Sequence, residues 1–283
     1  METLTKEKNI QLQIKANNIR KSIVEMLYLA GSGHTAGALG MTDIFTYLYF
    51  EALKHKPENP TWVDRDRLVL SNGHICPVLY ATMAHSGYFK IDELKTLRKF
   101  GSRLQGHPHR EFMSILETSS GPLGEGLSQA VGMAIASKID NGVNKTIYCL
   151  TGDGELNEGQ NWEAIMLAAK EKLNNLIVIV DRNFIQIDGS TEIVMPLSDL
   201  ASKFKAFNWN TEEINGNDFQ EINKAVASAK KSIDKPNVII ANTTPSKGVL
   251  AWEWDYKWHG KAPNKDEMTM AIKGLDELIN NIK

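Results

Sequence analysis

The stretch at residues 151–189 constrains the fold of this chain most strongly, because it has the pattern of one βαβ unit. The run at 146–150 is rich in strand formers and leads to Gly152-Asp153-Gly154, where two glycines let the backbone turn sharply and approach a ligand closely. Loops at the carboxyl ends of parallel strands are the usual ligand positions in α/β sheets. The sequence therefore predicts a ligand-binding turn at this point.

The second half of this unit brings another polar side chain to the same place. Apolar residues at i, i+3, i+4 and i+7 spacing predict a helix at 157–172, and an apolar run predicts a buried strand at 176–180. Because a right-handed crossover returns the second strand parallel to the first, we expect Asp153 and Asn183 at one edge of the sheet.

A carboxylate, an amide oxygen and a nearby backbone carbonyl suit a hard divalent cation such as Mg²⁺ or Ca²⁺, which commonly bridges to phosphate oxygens. Glycine amides beside the cation can hold a diphosphate. An isolated Gly-Asp-Gly is more often a simple turn, and a later asparagine is then only a loop residue. The pairing of Asp153 with Asn183 favours the cation site.

Helix and strand patterns alternate along the chain, which indicates an α/β fold with a parallel sheet covered by helices on both faces. No internal repeat or flexible linker divides the sequence, so we expect a single domain at 1–283. It includes an aromatic-rich loop at 243–261. The predicted helices are 6–30, 38–53, 77–85, 91–100, 127–139, 157–172, 198–207, 219–232 and 267–282, and the predicted strands are 68–70, 146–150, 176–180, 208–214 and 237–241.

Bulk properties exclude several classes of protein. A formal net charge of −2 argues against a nucleic-acid partner, since domains that bind nucleic acids are normally basic. The two cysteines, Cys76 and Cys149, show no disulfide framework and are expected to be reduced thiols. The first residues lack the apolar core of a signal peptide, and no apolar run is long enough for a membrane span. We expect a soluble, cytoplasmic protein.

Four of the seven histidines lie next to glycine in predicted loops. They are His34, His74, His107 and His259. A single histidine is more often structural than catalytic, and zinc binding is disfavoured because none of the four shows close ligand spacing. As a group, they suit hydrogen bonding to hydroxyls and phosphates. Of the others, we expect His55 to be a solvated loop residue and His85 to be structural or exposed.

The aromatic-rich loop contains three tryptophans before His259. They are either simple surface packing or part of a loop that closes over a ligand or a partner.

Seven motifs occur in the order and spacing of the diphosphate-binding domain of transketolases. They are SGHTAGALG, DRDRLVLSNGH, QGHPH, SSGPLGEGLSQAVGMA, GDGELNEGQNWEA, DRNFIQIDG and WHG. The similarity covers about residues 14–263, and the turn with its later asparagine resembles the thiamine diphosphate signature. By this resemblance, the sequence is identified as a member of the transketolase family with the thiamine diphosphate-binding fold of a diphosphate-binding (PP) domain.

The resemblance also implies a set of ligand contacts. Asp153, Asn183 and the backbone carbonyl of Ile185 would bind Mg²⁺ (or Ca²⁺). The residues implied to contact thiamine diphosphate are His74, Gly121, Leu123, Gly152, Asp153, Gly154, Asn183, Ile185 and His259.

The implied activity is transfer of a two-carbon ketol unit from a ketose phosphate to an aldose phosphate, as in the pentose phosphate pathway. His34, His107 and His259 would surround the reacting carbons of the sugar as catalytic residues. Alternatives are the α-type subunit of a 2-oxo acid dehydrogenase, an enzyme like deoxyxylulose phosphate synthase, and a non-catalytic cofactor-binding module. The GHP, GPLG and WHG motifs favour the transketolase form.

Complete transketolases continue into a pyrimidine-binding domain, whereas this chain resembles the amino-terminal subunit of a split transketolase. A C-terminal transketolase subunit is therefore the expected partner, in an α2β2 heterotetramer. Apolar patches around Leu123, Trp252 and Trp254 are expected to be exposed until assembly covers them.

The chain departs from the usual family pattern at several positions. Thr35 and Ala36 replace a common Pro-Gly pair beside His34. His109 stands where many relatives carry an acidic residue, and Phe184 stands where a second asparagine is common. Glu158, in contrast, matches an acidic position that belongs to a carboxylate network between two active sites in the family.

Overall fold

A computed structural model of the chain describes residues 3–140 and 145–282. Within these ranges, the main sheet has five parallel strands in the spatial order β1-β2-β3-β7-β6, and a small hairpin of β4 and β5 follows β3. The strands are β1 Arg67–Leu70, β2 Ile147–Gly152, β3 Leu176–Arg182, β4 Ile185–Gln186, β5 Gly189–Ser190, β6 Asn210–Asn215 and β7 Asn237–Asn242. The α-helices are α1 Lys6–Ala30, α2 Ala36–Gly40, α3 Thr42–Tyr47, α4 Cys76–His85, α5 Glu125–Ile139, α6 Gly159–Lys170, α7 Thr191–Val194, α8 Leu200–Ala206, α9 Phe219–Ala229 and α10 Lys265–Ile282.

Parallel pairing aligns the carboxyl ends of the strands. Leu70 of β1 lies opposite Leu150 of β2, and Gly152 of β2 lies opposite Asp181 of β3. The loops that follow β1, β2 and β3 therefore leave the sheet at one edge, as the βαβ pattern predicts.

Alternate residues of the central strands pack on opposite faces of the sheet. Tyr148 and Leu150 join a core cluster with α1, α3, α4 and α9, whereas Cys149 joins a second cluster with α5, α6 and α8. Every residue of β3 is buried. Each fully buried aliphatic side chain contributes about 1.5–3 kcal/mol to stability. Because helices cover both faces of the sheet, successive residues of these strands are all buried, which explains their nearly continuous apolar runs. The predicted parallel sheet with helices on both faces is confirmed.

Several helix boundaries differ from the predicted ones because contacts distant in sequence set them. The predicted helix at 38–53 is divided into α2, α3 and a π-helical turn at Leu48–Ala52. A side chain at Gly40, where α2 ends, would lie 3.0 Å from the carbonyl oxygen of Thr244. The predicted helix at 91–100 is only a 3₁₀ segment, Ile91–Thr96.

The aromatic-rich loop packs partly on itself. Trp252 stacks on Trp258 with ring centroids 3.9 Å apart, and both are buried. The predicted exposure of Trp252 is therefore wrong, because this stacking removes it from the surface. Leu123 and Trp254 are exposed, as expected, with 39% and 57% of their surface accessible.

His55 is not a solvated loop residue, because tertiary contacts hold both of its ring nitrogens. Its Nε2 donates to the carbonyl of Tyr49 at 2.7 Å, and its Nδ1 lies 3.1 Å from the hydroxyl of Tyr88. His85 is half-buried, with Nε2 2.9 Å from the hydroxyl of Ser22. Both cysteines are buried free thiols. Across residues 3–140 and 145–282, no helix combines the length and the apolar character needed to cross a bilayer.

Candidate cofactor and substrate site

One buried carboxylate joins the loops after β1 and β2 to the start of α5. Glu155 accepts hydrogen bonds from the hydroxyl of Ser71, from the N–H of Gly124 at 2.7 Å and from the N–H of Gly152 at 3.0 Å. Burial raises the pKa of Glu155, and the three hydrogen bonds oppose this rise because they favour the charged form. Glu155 therefore fixes the relative positions of three loops.

The turn after β2 is tied to the loop after β3 through Asp153. Its Oδ1 accepts from the N–H of Gly154 at 2.8 Å, and its Oδ2 accepts from the N–H of Phe184 at 2.8 Å. In the second loop, Asn183 Oδ1 accepts from the N–H of Ile185 at 3.0 Å. The structure thus brings Asp153, Asn183 and Ile185 together at the predicted edge.

A second carboxylate orients the amide of Asn183. Asn183 Nδ2 donates to Asp181 Oδ2 at 2.8 Å, and the hydroxyl of Thr243 donates to the other carboxylate oxygen. Burial raises the pKa of Asp181 to about 7, and the neighbouring carboxylate of Asp153 adds to the rise. Because the amide nitrogen is already bonded, the amide oxygen is the group that Asn183 offers to a cation.

Asp153 also has a charged neighbour within the chain. Arg182 donates from one guanidinium nitrogen to Asp153 Oδ2 at 3.2 Å and from the other to Glu192 at 2.5 Å. Arg182 and Asp153 are both buried. The guanidinium compensates the charge of Asp153, so this carboxylate is partnered before any cation binds.

Three histidine rings meet at this edge. The ring centroid of His34 lies 4.9 Å from that of His74 and 5.8 Å from that of His259, and the last two are 5.3 Å apart. His34 reaches this place because α1 ends at Gly31, in the left-handed region at φ 66°, and the chain turns again at Gly33 with φ 138°.

Burial keeps these imidazoles neutral. It lowers the pKa of His34 to about 4, and the neighbouring His259 contributes to the shift. Burial also lowers the pKa of His74 and of His259. At pH 7 the three rings are uncharged, so each has one nitrogen that accepts a hydrogen bond or a proton.

His107 lies at the outer side of the cluster, beside the positively charged side chain of Arg98. Its ring lies 3.8 Å from a Cβ built on Gly121, and burial together with Arg98 lowers its pKa. Arg98 packs against Gly106 and donates to its carbonyl at 3.3 Å. It also contributes to the lowered pKa of His34, so its positive charge acts on two histidine loops.

The loop of His34 is fixed to the aromatic-rich loop. The hydroxyl of Thr35 donates to the carbonyl of Lys261 at 2.5 Å, and the N–H of Ser246 donates to the carbonyl of Ala36 at 2.9 Å. Thr35 is completely buried. This contact depends on the threonine hydroxyl. Proline, which is common at this position in the family, has no hydroxyl and cannot form it.

Comparison with known proteins connects this geometry to one family. Residues 12–276 match the family profile described as "Transketolase, thiamine diphosphate binding domain". The chain belongs to the transketolase family. It is 41% identical over 271 residues to "6-deoxy-6-sulfo-D-fructose transketolase subunit SqwG" of Clostridium sp. (strain MSTE9), covering 96% of this chain and 98% of that protein. It is 39% identical to one subunit of the apulose-4-phosphate transketolase of Phocaeicola vulgatus, covering 96% of each.

A solved structure shows the same transketolase fold. The transketolase of Campylobacter jejuni superimposes with a TM-score of 0.88 at 40% identity, covering 95% of this chain but 42% of that one. This chain thus spans less than half the length of that transketolase and nearly the whole length of the Clostridium and Phocaeicola subunits.

The residues present fit the cofactor of the transketolase family. Several buried polar atoms at the carboxyl edge have no hydrogen-bond partner among the described residues. They are His34 Nδ1, Asn72 Nδ2 and Oδ1, Thr151 Oγ1 and His259 Nδ1. Within residues 3–140 and 145–282, no three His, Cys, Asp or Glu side chains form a metal-binding group, so the other protein ligands of a cation at Asp153 would be amide and carbonyl oxygens. That donor set suits Mg²⁺ or Ca²⁺.

Most of the site residues expected of a transketolase lie around this edge, whereas some positions are more peripheral. Leu123, His107 and Glu158 are exposed. The sequence does not single out several further residues that the structure places in or beside these loops. They are Asn72, Arg98, Glu155 and Arg182. Position in the motifs SNGH, GDGE and DRN was the available signal for three of them, and Arg98 lies outside every motif.

Proposed function

We propose that the chain is the diphosphate-binding subunit of a transketolase that moves a two-carbon ketol unit from a ketose phosphate to an aldose phosphate. The observation that carries this proposal is the cluster of three neutral histidine rings, of which His74 follows β1 at the sheet edge that also carries the turn of Asp153 and the loop of Asn183. An oxygen-rich cation site next to proton-accepting imidazoles has the parts needed for sugar-carbon transfer with thiamine diphosphate.

In this proposal, the two halves of the site have different tasks. Asp153, Asn183 and the carbonyl of Ile185 hold the divalent cation. The Gly152–Gly154 turn borders the diphosphate, but the N–H groups of its two glycines already donate to Glu155 and Asp153 and are not available to it. When bound, thiamine diphosphate supplies the electron sink for breaking the carbon–carbon bond beside a ketose carbonyl. His74 and His259 contact the diphosphate, and Gly121 and Leu123 lie against the cofactor rings.

The protein's own contribution to the reaction is proton transfer and orientation. His34, His107 and His259 accept and donate hydrogen bonds at the sugar hydroxyls, and their lowered pKa values keep them in the proton-accepting form at neutral pH. Proton transfer by a positioned side chain typically contributes about 10²–10⁴-fold in rate.

The substrate is proposed to be an anionic sugar. The Clostridium and Phocaeicola relatives are named for sugars that carry a sulfonate or a phosphate. Arg98 is exposed, and its charge lies close enough to His34 and His107 to lower the pKa of both. The positive charge of Arg98 attracts a substrate whose anionic end remains outside the histidine cluster.

We propose that a second polypeptide, a C-terminal transketolase subunit with the pyrimidine-binding domain, completes the enzyme in an α2β2 assembly in the cytoplasm. The word "subunit" in the names of both relatives supports a partner. Exposed apolar side chains lie on the segment after Asn183 and on the loop before α5, which supports an interface there. They are Leu123, Ile187, Ile193, Val194 and Met195.

The test is reconstitution. The purified chain should be assayed for two-carbon transfer from xylulose 5-phosphate to ribose 5-phosphate, with thiamine diphosphate and Mg²⁺, alone and with increasing amounts of the candidate partner. We expect no turnover by the chain alone and activity that saturates at a fixed chain ratio. Substantial turnover by the highly purified single chain would overturn the two-subunit proposal.

A matched pair of variants tests the site within the same assay. His107→Ala should keep cofactor binding but lose turnover by roughly 10²-fold or more, because a proton-transferring group is gone. Lys99→Ala, an exposed control on the same stretch of chain, should transfer at the wild-type rate. Normal kinetics in the His107 variant would show that the histidine assignment is wrong.

A further inference from the structure

Asn72 is the most unusual polar side chain at the carboxyl edge of the sheet. It is completely buried, yet neither its Nδ2 nor its Oδ1 has a hydrogen-bond partner in the described part of the chain. Leaving a buried polar group unpaired costs about 1–3 kcal/mol, and native proteins satisfy most such groups. An amide with both ends unpaired therefore points to a ligand that completes it.

Poor local packing does not explain the unpaired amide, because the adjacent residue is fully bonded. The hydroxyl of Ser71 donates to Glu155 and accepts from the N–H of Gly126 at 3.0 Å. The backbone around Asn72 is also fixed: the N–H of Ser71 donates to the carbonyl of Leu150, and the carbonyl of Asn72 accepts from the N–H of Ile75. These bonds hold the loop in place around the unpaired amide.

The position of Asn72 indicates which ligand this is. A Cβ built on Gly152 would lie 3.8 Å from Asn72 Cβ and 3.9 Å from its Nδ2, so the side chain borders the Gly152–Gly154 turn. The next residue, Gly73, packs against Ser120 and the N–H of Gly121 so closely that a side chain there would collide with both. Asn72 thus lies where three loops of the cofactor site converge.

We propose that Asn72 is a further binding residue for the diphosphate group of the cofactor. The inference rests on the proposed thiamine diphosphate site and adds to it a contact outside the expected residue set. Diphosphate oxygens accept hydrogen bonds and do not donate them, so the Nδ2 hydrogens bond to the diphosphate. The Oδ1 accepts from a water of the cation, since Mg²⁺ usually keeps part of its hydration shell.

Asn72→Leu and Asn72→Ala test the proposal in the full chain with the candidate partner present. Calorimetric titration with thiamine diphosphate and Mg²⁺ should show affinity weakened by roughly 10- to 100-fold, as expected for one lost hydrogen bond to a charged group. Inorganic diphosphate with Mg²⁺, used as a second probe, should bind more weakly by a similar factor, because the lost contact is to the diphosphate.

Thermal unfolding of the cofactor-free chain separates binding from structure. Asn72→Leu has the same branching without unpaired polar atoms, so its Tm should equal or exceed that of the wild type. Thr82→Val is the matched control, because Thr82 is also buried with a hydroxyl that is unpaired in the described residues but lies on α4, outside the three loops. It should change neither probe's affinity.

Wild-type affinity in both Asn72 variants would overturn the proposal and leave the proposed function intact. Failure of the wild-type assembly to bind thiamine diphosphate would overturn both. If Asn72→Leu does not fold, the affinity of Asn72→Ala decides. A Tm lowered in both variants, with an equal loss of affinity for thiamine lacking its diphosphate, would show a structural residue instead.

Discussion

Removal of the Glu155 carboxylate is expected to destabilise the chain strongly, although the sequence gives no sign of it. Glu155→Ala leaves three buried donors without an acceptor: the hydroxyl of Ser71 and the N–H groups of Gly124 and Gly152. At about 1–3 kcal/mol for each unsatisfied donor, the gross loss is about 3–9 kcal/mol. The variant also removes a carboxylate whose burial is unfavourable, as its raised pKa shows.

The net loss in the free energy of unfolding should therefore be about 3–5 kcal/mol, the range found when one partner of a buried charged network is removed. For a chain of this size, that corresponds to a Tm lowered by roughly 5–8 °C. Glu155→Gln keeps the shape but places an N–H₂ against one of the donors, so its loss should be about 1–3 kcal/mol.

The assay is urea and thermal unfolding of the cofactor-free chain, followed by circular dichroism. Glu163→Ala serves as control, because Glu163 is exposed on α6 a short distance along the same segment; it should remain within about 0.5 kcal/mol of the wild type. If Glu155→Ala also unfolds within that range, the carboxylate does not hold the loops together and the reasoning is refuted.

Three further predictions concern the ligands and the histidines. Asp153→Ala and Asn183→Ala should each weaken Mg²⁺-dependent binding of thiamine diphosphate at least about tenfold, because each removes an oxygen ligand; unchanged calorimetric affinity in both would remove the cation assignment. The pKa of His34 falls from 6.5 to about 4 on folding, so its contribution to stability is complete above pH 6.5 and is lost as the pH falls towards 4. In urea titrations between these pH values, His34→Asn should therefore lose less stability than the wild type. The same pH profile in both proteins would contradict the burial of His34 as the cause. Thr35→Val should raise hydrogen exchange in the aromatic-rich loop and lower kcat, whereas Thr35→Ser should restore both; equal behaviour of the two variants would show that the hydroxyl is unimportant.

The sheet and its ligand-binding edge are predictable from the sequence because they follow from short-range rules. The apolar runs at 146–150 and 176–180 are the buried central strands β2 and β3. The chain leaves both strands at the same edge, so the spacing of Asp153 and Asn183 along the chain was enough to predict their proximity.

The missed features depend on contacts that are distant in sequence. Glu155 is bonded to residues 31 and 84 positions away, and nothing in a GDGE motif indicates which donors the carboxylate meets. The stacking of Trp252 on Trp258 depends on how the aromatic-rich loop folds back on itself. The bonds of His55 depend on its packing against Tyr49 and the distant Tyr88. The hairpin of β4 and β5 has two residues in each strand, too few for a periodic pattern.

The pairing of Arg182 with Asp153 bears on how a cation enters this site. A divalent ion that binds Asp153 competes with the guanidinium for the same carboxylate, and a buried guanidinium left unpaired is expensive. Arg182, however, already donates to Glu192 at 2.5 Å through its other nitrogen, and its guanidinium lies over the ring of Phe184, 4.1 Å from the centroid. The arginine therefore keeps partners when the cation takes the carboxylate. Burial raises the pKa of Asp153, and the same arginine opposes this rise and orients the carboxylate before the cation arrives. The ligand is therefore already in place, and the exchange leaves no buried charge alone.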